Sequence, residues 1–177
     1  MGTDKAFVML DGRTLLDRAL DVCRTITSEV QIAGDRKKFA PFAPVVEDVF
    51  PGCGPLAGIH AALRASQTDL NLILAVDLPF VSPGLLHFLG AQARDSGAIV
   101  TVPRAGKGWQ PLCAVYCRAF ADPAETALRA GRHKIDALFD PALSRPVEEV
   151  DLRSAGFSSE VFRNLNTPEE LAEAQNS

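Results

Sequence analysis

Short apolar runs alternate along this chain with stretches whose apolar residues recur at helical spacing. The clearest run, Leu72-Ile73-Leu74-Ala75-Val76, leads directly into Asp77-Leu78-Pro79-Phe80. An unbroken run of this length predicts a strand buried on both faces, as in a parallel α/β sheet. Further strands are predicted over residues 29–33, 45–46, 98–102, 112–116 and 147–150, with a weak candidate over 7–10. Leu15, Leu16, Ala19, Leu20, Val22, Cys23 and Ile26 mark a helix over residues 14–27. Leu56, Ile59 and Leu63 give a stripe to a helix that starts at Gly54 or Pro55, since proline suits the first helical turn. Ser82-Pro83 opens another helix carrying Leu85, Leu86 and Leu89. Residues 120–130 and 135–139 also read as helices, and Thr167-Pro168-Glu169-Glu170 is a capping box that opens a terminal one. The alternation of strand and helix predicts one α/β domain over residues 1–177.

Composition narrows the class. With 47% hydrophobic and 23% charged residues, the chain is ordinary for a globular protein. A net charge of -4 gives no basic field for nucleic acid. No apolar run approaches the roughly 20 residues that span a bilayer, and the N-terminus has no secretory h-region. A cytoplasmic protein without membrane or nucleic-acid partners is expected. Cys23, Cys53, Cys113 and Cys117 form no C-x-x-C pair, and the histidines are widely spaced, so reduced packing cysteines are expected in place of a zinc site. Cys53, between two glycines, is expected to be the most accessible.

Candidate chemistry gathers at the predicted strand ends. Asp35, Asp48 and Asp77 each follow a strand, and in a parallel sheet these ends share one rim, where α/β folds bind ligands. Carboxylates there suit Mg²⁺, a hard cation that bridges to phosphate. Lys5 offers a point charge for phosphate. The turn Pro51-Gly52-Cys53-Gly54-Pro55 allows close backbone approach and leads into a helix N-terminus. This inventory suits phosphoryl or nucleotidyl transfer. Each residue also has a plainer use. Asp77 suits a turn cap, Asp35 a Gly-Asp turn, Asp48 a loop, and the glycines turn geometry. Trp109, after a glycine-flanked turn, suits either a ligand face or a half-exposed strand. His60 reads as packing. His133, in the basic stretch Arg129 to Lys134, reads as part of a solvated face.

Four motifs occur in order: Met1-Gly2-x-Asp4-Lys5, Gly54-Pro55-Leu56-Ala57-Gly58, Asp77-Leu78-Pro79-Phe80, and Asn164-Leu165-Asn166-Thr167-Pro168-Glu169-Glu170-Leu171. Together they resemble the molybdenum cofactor guanylyltransferase family over nearly the whole chain. The resemblance implies a Rossmann-like three-layer sandwich of the nucleotide-diphosphosugar-transferase type. It implies GMP transfer from Mg-GTP to molybdenum-molybdopterin, giving the guanine dinucleotide cofactor and pyrophosphate. By the same resemblance Asp77 binds Mg²⁺ and nucleotide, and Lys5 binds phosphate. Asp48 and Asp35 make further nucleotide contacts. Gly54, Pro55, Leu56 and Gly58 lie against the nucleotide, and Asn164 and Asn166 lie on the pterin side. Transient contact with molybdenum-insertion and acceptor enzymes fits such a function.

One departure bears on all of this. The family opens with a strand and a Leu-Ala-Gly-Gly-x-Ser-x-Arg loop ahead of its Met-Gly-x-Asp-Lys motif, and here that motif stands at Met1. The expectation is a domain lacking its first strand and phosphate loop, through a misplaced start or a truncated gene, and therefore marginally stable and poor in catalysis. The alternatives are a cytidylyltransferase or another nucleotidyltransferase of this fold, or a non-catalytic nucleotide- or cofactor-binding domain. A phosphorylated receiver domain is disfavoured, because no paired acidic cluster ends an earlier strand.

Overall fold

The computed structural model describes residues 4–106 and 108–165. A 3-10 turn over Lys5–Phe7 precedes a hairpin of β1 (Met9–Leu10) and β2 (Arg13–Thr14). Asp11 and Gly12 both have positive φ, at 51° and 76°. A type I′ hairpin turn requires this of its two central residues, and Asp-Gly supplies it at low cost. The predicted 7–10 strand is thus shortened to two residues, because the chain before it coils. Thr14 then caps α1 (Leu15–Arg24), its Oγ1 accepting the Asp17 N–H at 3.0 Å. The strand read over 29–33 is realised only as β3 (Ile32–Ala33), which pairs in parallel with β4 (Val45–Val46). Between them lies α2 (Arg36–Phe39), too short to show any helical period in the sequence.

The second half begins with α3 (Pro55–Ala65), β5 (Leu70–Leu74) and α4 (Pro83–Ser96). It continues with β6 (Val100–Ala105), β7 (Gly108–Trp109), β8 (Cys113–Cys117) and α5 (Ala121–Arg129), and closes with β9 (Ser144–Glu148) and α6 (Glu149–Ser154). The expected helix over 135–139 is only a 3-10 turn, Asp136–Leu138. The expected strand over 147–150 stops at Glu148, where a capping box of Glu148 and Asp151 starts α6 and leaves Val150 exposed. The terminal helix predicted from Thr167, and Asn166 with it, lies outside the described residues.

The main sheet is mixed, where the sequence suggested parallel strands. β5, β6 and β9 run one way, and β8 runs the other way between β5 and β6. The cause is local. The chain reverses at Gly106, pairs Trp109 with Arg104, and continues down the same edge of β6 as β8. β7 and β8 are therefore two pieces of one returning arm, interrupted at Gln110 to Leu112.

Two apolar layers sandwich this sheet. On one face Leu56, Ile59 and Leu63 of α3 and Ala124 and Leu128 of α5 pack against Val100, Val102 and Tyr116. On the other, Leu85, Leu86 and Leu89 of α4 and Leu152 of α6 pack against Cys113, Val115 and Val147. β8 shows why: its side chains alternate between the two layers. The result is the three-layer α/β/α sandwich implied by the resemblance. A smaller cluster of Ala6, Leu16 and Leu20 joins α1 to Ile32, Phe39 and Val76.

β5 also sends side chains both ways, Ile73 to one layer and Leu72 and Leu74 to the other. Yet it is only half-buried, since among the described residues β8 is its one strand neighbour. Asp69 and Ala75 bond across to β8 from either end, so the backbone groups of Leu70, Leu72 and Leu74 face the opposite edge. The four cysteines are free. Cys113 is buried, which pushes its thiol up to about 12, and Cys53, like Cys23 and Cys117, is half-buried. Among the described residues no helix is long and apolar enough to cross a membrane.

Candidate active site

Asp77 follows β5 at its carboxyl end, before Pro79 and before Ser82, whose side chain caps α4. Its Oδ2 lies 3.3 Å from Lys5 Nζ, and the two side chains keep 23% and 44% exposure, so the pair is open to a ligand. Lys5 reaches this position because Asp4 fixes the turn that carries it. One Asp4 oxygen accepts the Ala6 N–H at 3.0 Å, and the other holds Lys38 Nζ at 2.6 Å. The Lys38 hydrogen bond, followed by that from the Ala6 N–H, holds the Asp4 carboxyl below its ordinary value. The amino-terminal segment is thereby tied to α2 on one side and to the end of β5 on the other.

A second tether reaches Asp77 from the far end of the chain. The Leu165 N–H donates to the Asp77 carbonyl at 3.1 Å. Leu165 is buried with Leu10 and Leu15 and packs against Val76 and Phe80. Asn164 is exposed beside this anchor, and the Arg163 guanidinium lies over the Phe80 ring, 4.6 Å from its centroid. Sequence reasoning did not single out Arg163 or Phe80. Neither belongs to a periodic pattern; Phe80 closes the Asp77 motif and Arg163 immediately precedes the Asn164 motif, and position alone does not reveal their contact.

The glycine turn lies at the start of α3. Gly54 has φ 71° and ψ −162°, Pro55 takes the first helical position, and no side chain caps the helix. Pro55 has no N–H to offer, and the Ala57 N–H donates to the Gly54 carbonyl at 3.1 Å. Leu56 has no exposed surface and belongs to the core. Gly58 brings three elements together: a Cβ built there meets Ala33 Cβ at 3.6 Å and Asp48 Oδ1 at 3.7 Å. Asp48 is exposed at the surface, and the partial desolvation of its carboxyl pushes it above its usual range. Asp35 has a structural task, accepting the Lys37 N–H at 2.8 Å as the cap of α2.

The other candidates have packing partners. Trp109 stacks under Arg104, at 5.2 Å, and meets the edge of Phe139. His60 is buried between the Phe50 ring and Glu125, its Nε2 lying 3.3 Å from the Glu125 carboxylate. His133 is exposed.

The site thus holds one accessible carboxylate beside one lysine, at a strand end. Among the described residues no three His, Cys, Asp or Glu side chains gather as a metal cage. A single hard oxygen ligand still suits Mg²⁺, which is commonly held by one or two carboxylates with water and substrate phosphates completing its shell.

Comparison with known proteins gives the site a context. Residues 1–146 match the model of the MobA-like NTP transferase domain. The chain is 34% identical over 176 residues to a molybdenum cofactor guanylyltransferase of Desulfosudis oleivorans, covering 98% of this chain and 87% of that protein. It is 33% identical to a probable molybdenum cofactor guanylyltransferase of Pelotomaculum thermopropionicum, covering 99% and 85% respectively. Among solved structures, molybdopterin-guanine dinucleotide biosynthesis protein A from Archaeoglobus fulgidus superposes with a TM-score of 0.85 at 29% identity, covering 99% of this chain and 90% of that one. A cytidylyltransferase from Thermus thermophilus, at 22% identity and a TM-score of 0.71, shares the fold. With a matching family model over most of its length and such relatives, the chain belongs to the MobA-like NTP transferase family of nucleotidyltransferases.

Proposed function

We propose that this chain transfers GMP from Mg-GTP to the phosphate of molybdenum-molybdopterin, forming the guanine dinucleotide cofactor and pyrophosphate. The observation that carries the reading is the open Lys5–Asp77 pair at the end of β5, held from the backbone by Leu165. Relatives named molybdenum cofactor guanylyltransferase point to the same donor and acceptor.

Each residue then has a task. Lys5 offsets charge on the triphosphate. Asp77 supplies a carboxylate oxygen to Mg²⁺, and the bound ion would neutralise charge as pyrophosphate leaves. The backbone from Gly54 to Gly58 approaches the nucleotide closely, and Asp48, with the region around Asp35, adds polar contacts to it. Asn164 and Asn166 face the pterin side. An oxygen of the acceptor phosphate bonds to the α-phosphorus, and the bond from that phosphorus to the bridging oxygen breaks. Pyrophosphate carries away the electron pair. No side-chain nucleophile is needed, so the work is positioning and charge balance. The reading assigns the reaction to the cytoplasm, with transient hand-over between enzymes that insert molybdenum and enzymes that accept the product.

The test is turnover of the purified chain with molybdenum-charged molybdopterin, Mg²⁺ and either GTP or CTP, scored by mass spectrometry of the dinucleotide and by pyrophosphate release. GMP incorporation well above CMP incorporation is expected, and Asp77→Asn lowers kcat by roughly a hundredfold or more. Equal use of CTP, or full Mg²⁺-dependent turnover by the Asp77→Asn chain, overturns the reading.

A further inference from the structure

Many arginines of this fold are ion-paired, and among those without a carboxylate partner in the described residues Arg94, Arg118 and Arg132 are exposed. Arg36 pairs with Glu47, Arg64 and Arg129 with Glu125, and Arg153 with Glu149. Arg163 has no carboxylate partner among the described residues, although it is only half-exposed. Its backbone is fixed on both sides. Phe162 before it is buried, its own N–H donates to the Glu160 carbonyl at 3.0 Å, and Leu165 after it is bonded to Asp77. The guanidinium is fixed as well, by the ring of Phe80, three residues beyond Asp77. A planar cation lying on an aromatic face has surrendered much of its side-chain freedom before any ligand arrives, so less is lost on binding.

Two phosphates must meet in nucleotidyl transfer, and both are anions. A cation on the donor side alone leaves the attacking phosphate opposed by the charge of the triphosphate. Lys5 approaches the Asp77 side chain from the amino-terminal turn. Arg163 arrives on the carboxyl-terminal segment that grips the Asp77 backbone. The two cations are thus carried by segments that reach Asp77 from opposite directions along the chain. A guanidinium fork matches two oxygens of a phosphate at once.

We infer that Arg163, held on Phe80, is the residue that binds the phosphate monoester of the acceptor. The inference rests on the transfer reaction proposed above and assigns its second substrate a specific anchor. Phe80 is the positioning residue for this anchor.

The experiment measures molybdopterin affinity from the pterin's own fluorescence, with inorganic phosphate as competitor, and GTP affinity in parallel. The wild-type chain, Arg163→Gln, Arg163→Lys and Phe80→Leu are compared, with melting temperatures recorded for each. Arg163→Gln should weaken molybdopterin binding at least tenfold and abolish competition by phosphate, while GTP affinity stays within twofold. Arg163→Lys should recover part of the loss, and Phe80→Leu should show a smaller version of it. Unchanged molybdopterin binding by Arg163→Gln overturns the inference. So does an equal loss of both ligands with a lowered melting temperature, which would mark a structural role. The failure of the transfer reading is separable: a wild-type chain that makes no guanine dinucleotide fails that reading even if Arg163 governs pterin binding.

Discussion

At the scale of single residues, Asp48 is set against the fold that carries it. Partial desolvation raises its pKa, so the folded state disfavours the ionised carboxylate. A group raised in this way contributes stability that is full below its unfolded pKa and is lost as pH rises through the folded value. At neutral pH the ionised Asp48 therefore detracts slightly from stability. Asp48→Asn should raise the melting temperature by a small amount and, if the carboxylate serves the nucleotide, raise KM for GTP several-fold. Calorimetry and kinetics on the same preparation check both signs, and a lowered melting temperature would show that the carboxylate has a stabilising partner. Such opposition between stability and use is common where a polar group is kept for function. Asp35 is the contrasting case, since its carboxylate already has a structural task in capping α2.

At the scale of elements, helices were legible where apolar residues recur over several turns, as in α1, α3 and α4, and where Ser82-Pro83 or Gly54-Pro55 marks an entry. α2 and α6 were not legible, because four and six residues are too few to display a period. The direction of the β8 strand was hidden for another reason. A run such as Cys113 to Cys117 is apolar on both faces whether its neighbours run parallel or antiparallel, so periodicity carries no sign. Only the reversal at Gly106 fixes it. The Lys5–Asp77 pair was visible as two motif residues, but not as a contact, since 72 positions separate them. The entry to α3 gives the sharpest test at this scale. Gly54 sits where almost only glycine is found, at positive φ with ψ near −162°, and a Cβ there touches nothing. The cost of Gly54→Ala is therefore backbone strain, about 1–3 kcal/mol. Several degrees of melting temperature should be lost, and thermal denaturation checks this. An unchanged melting point would mean that the turn relaxes to another conformation.

At the scale of the whole molecule, one acid joins the two helices on the α3–α5 face. Glu125 accepts from Arg129 and Arg64 at 2.7 Å each and from His60 at 3.3 Å. The Arg129 hydrogen bonds, then those of Arg64 and His60, hold its carboxyl down to about 2. A depressed carboxylate contributes stability that is present above its unfolded value and lost as pH falls through the folded one. Part of the acid unfolding of this chain should therefore fall between about pH 4.5 and about pH 2. In Glu125→Gln the melting temperature should depend less on pH in that window. An identical pH profile for the two chains would refute the linkage.

Residues near both ends of the described chain meet at Asp77, Lys5 at its carboxylate and Leu165 at its carbonyl. Contacts of such long sequence separation are slow to form, because loop closure must precede any gain. During synthesis, a polypeptide emerging from the ribosome can build β5 and both flanking helices while its site is still open on one side. The Asp77 carbonyl gains its partner only once residue 165 has been made, so the surroundings of Asp77 are completed late in synthesis.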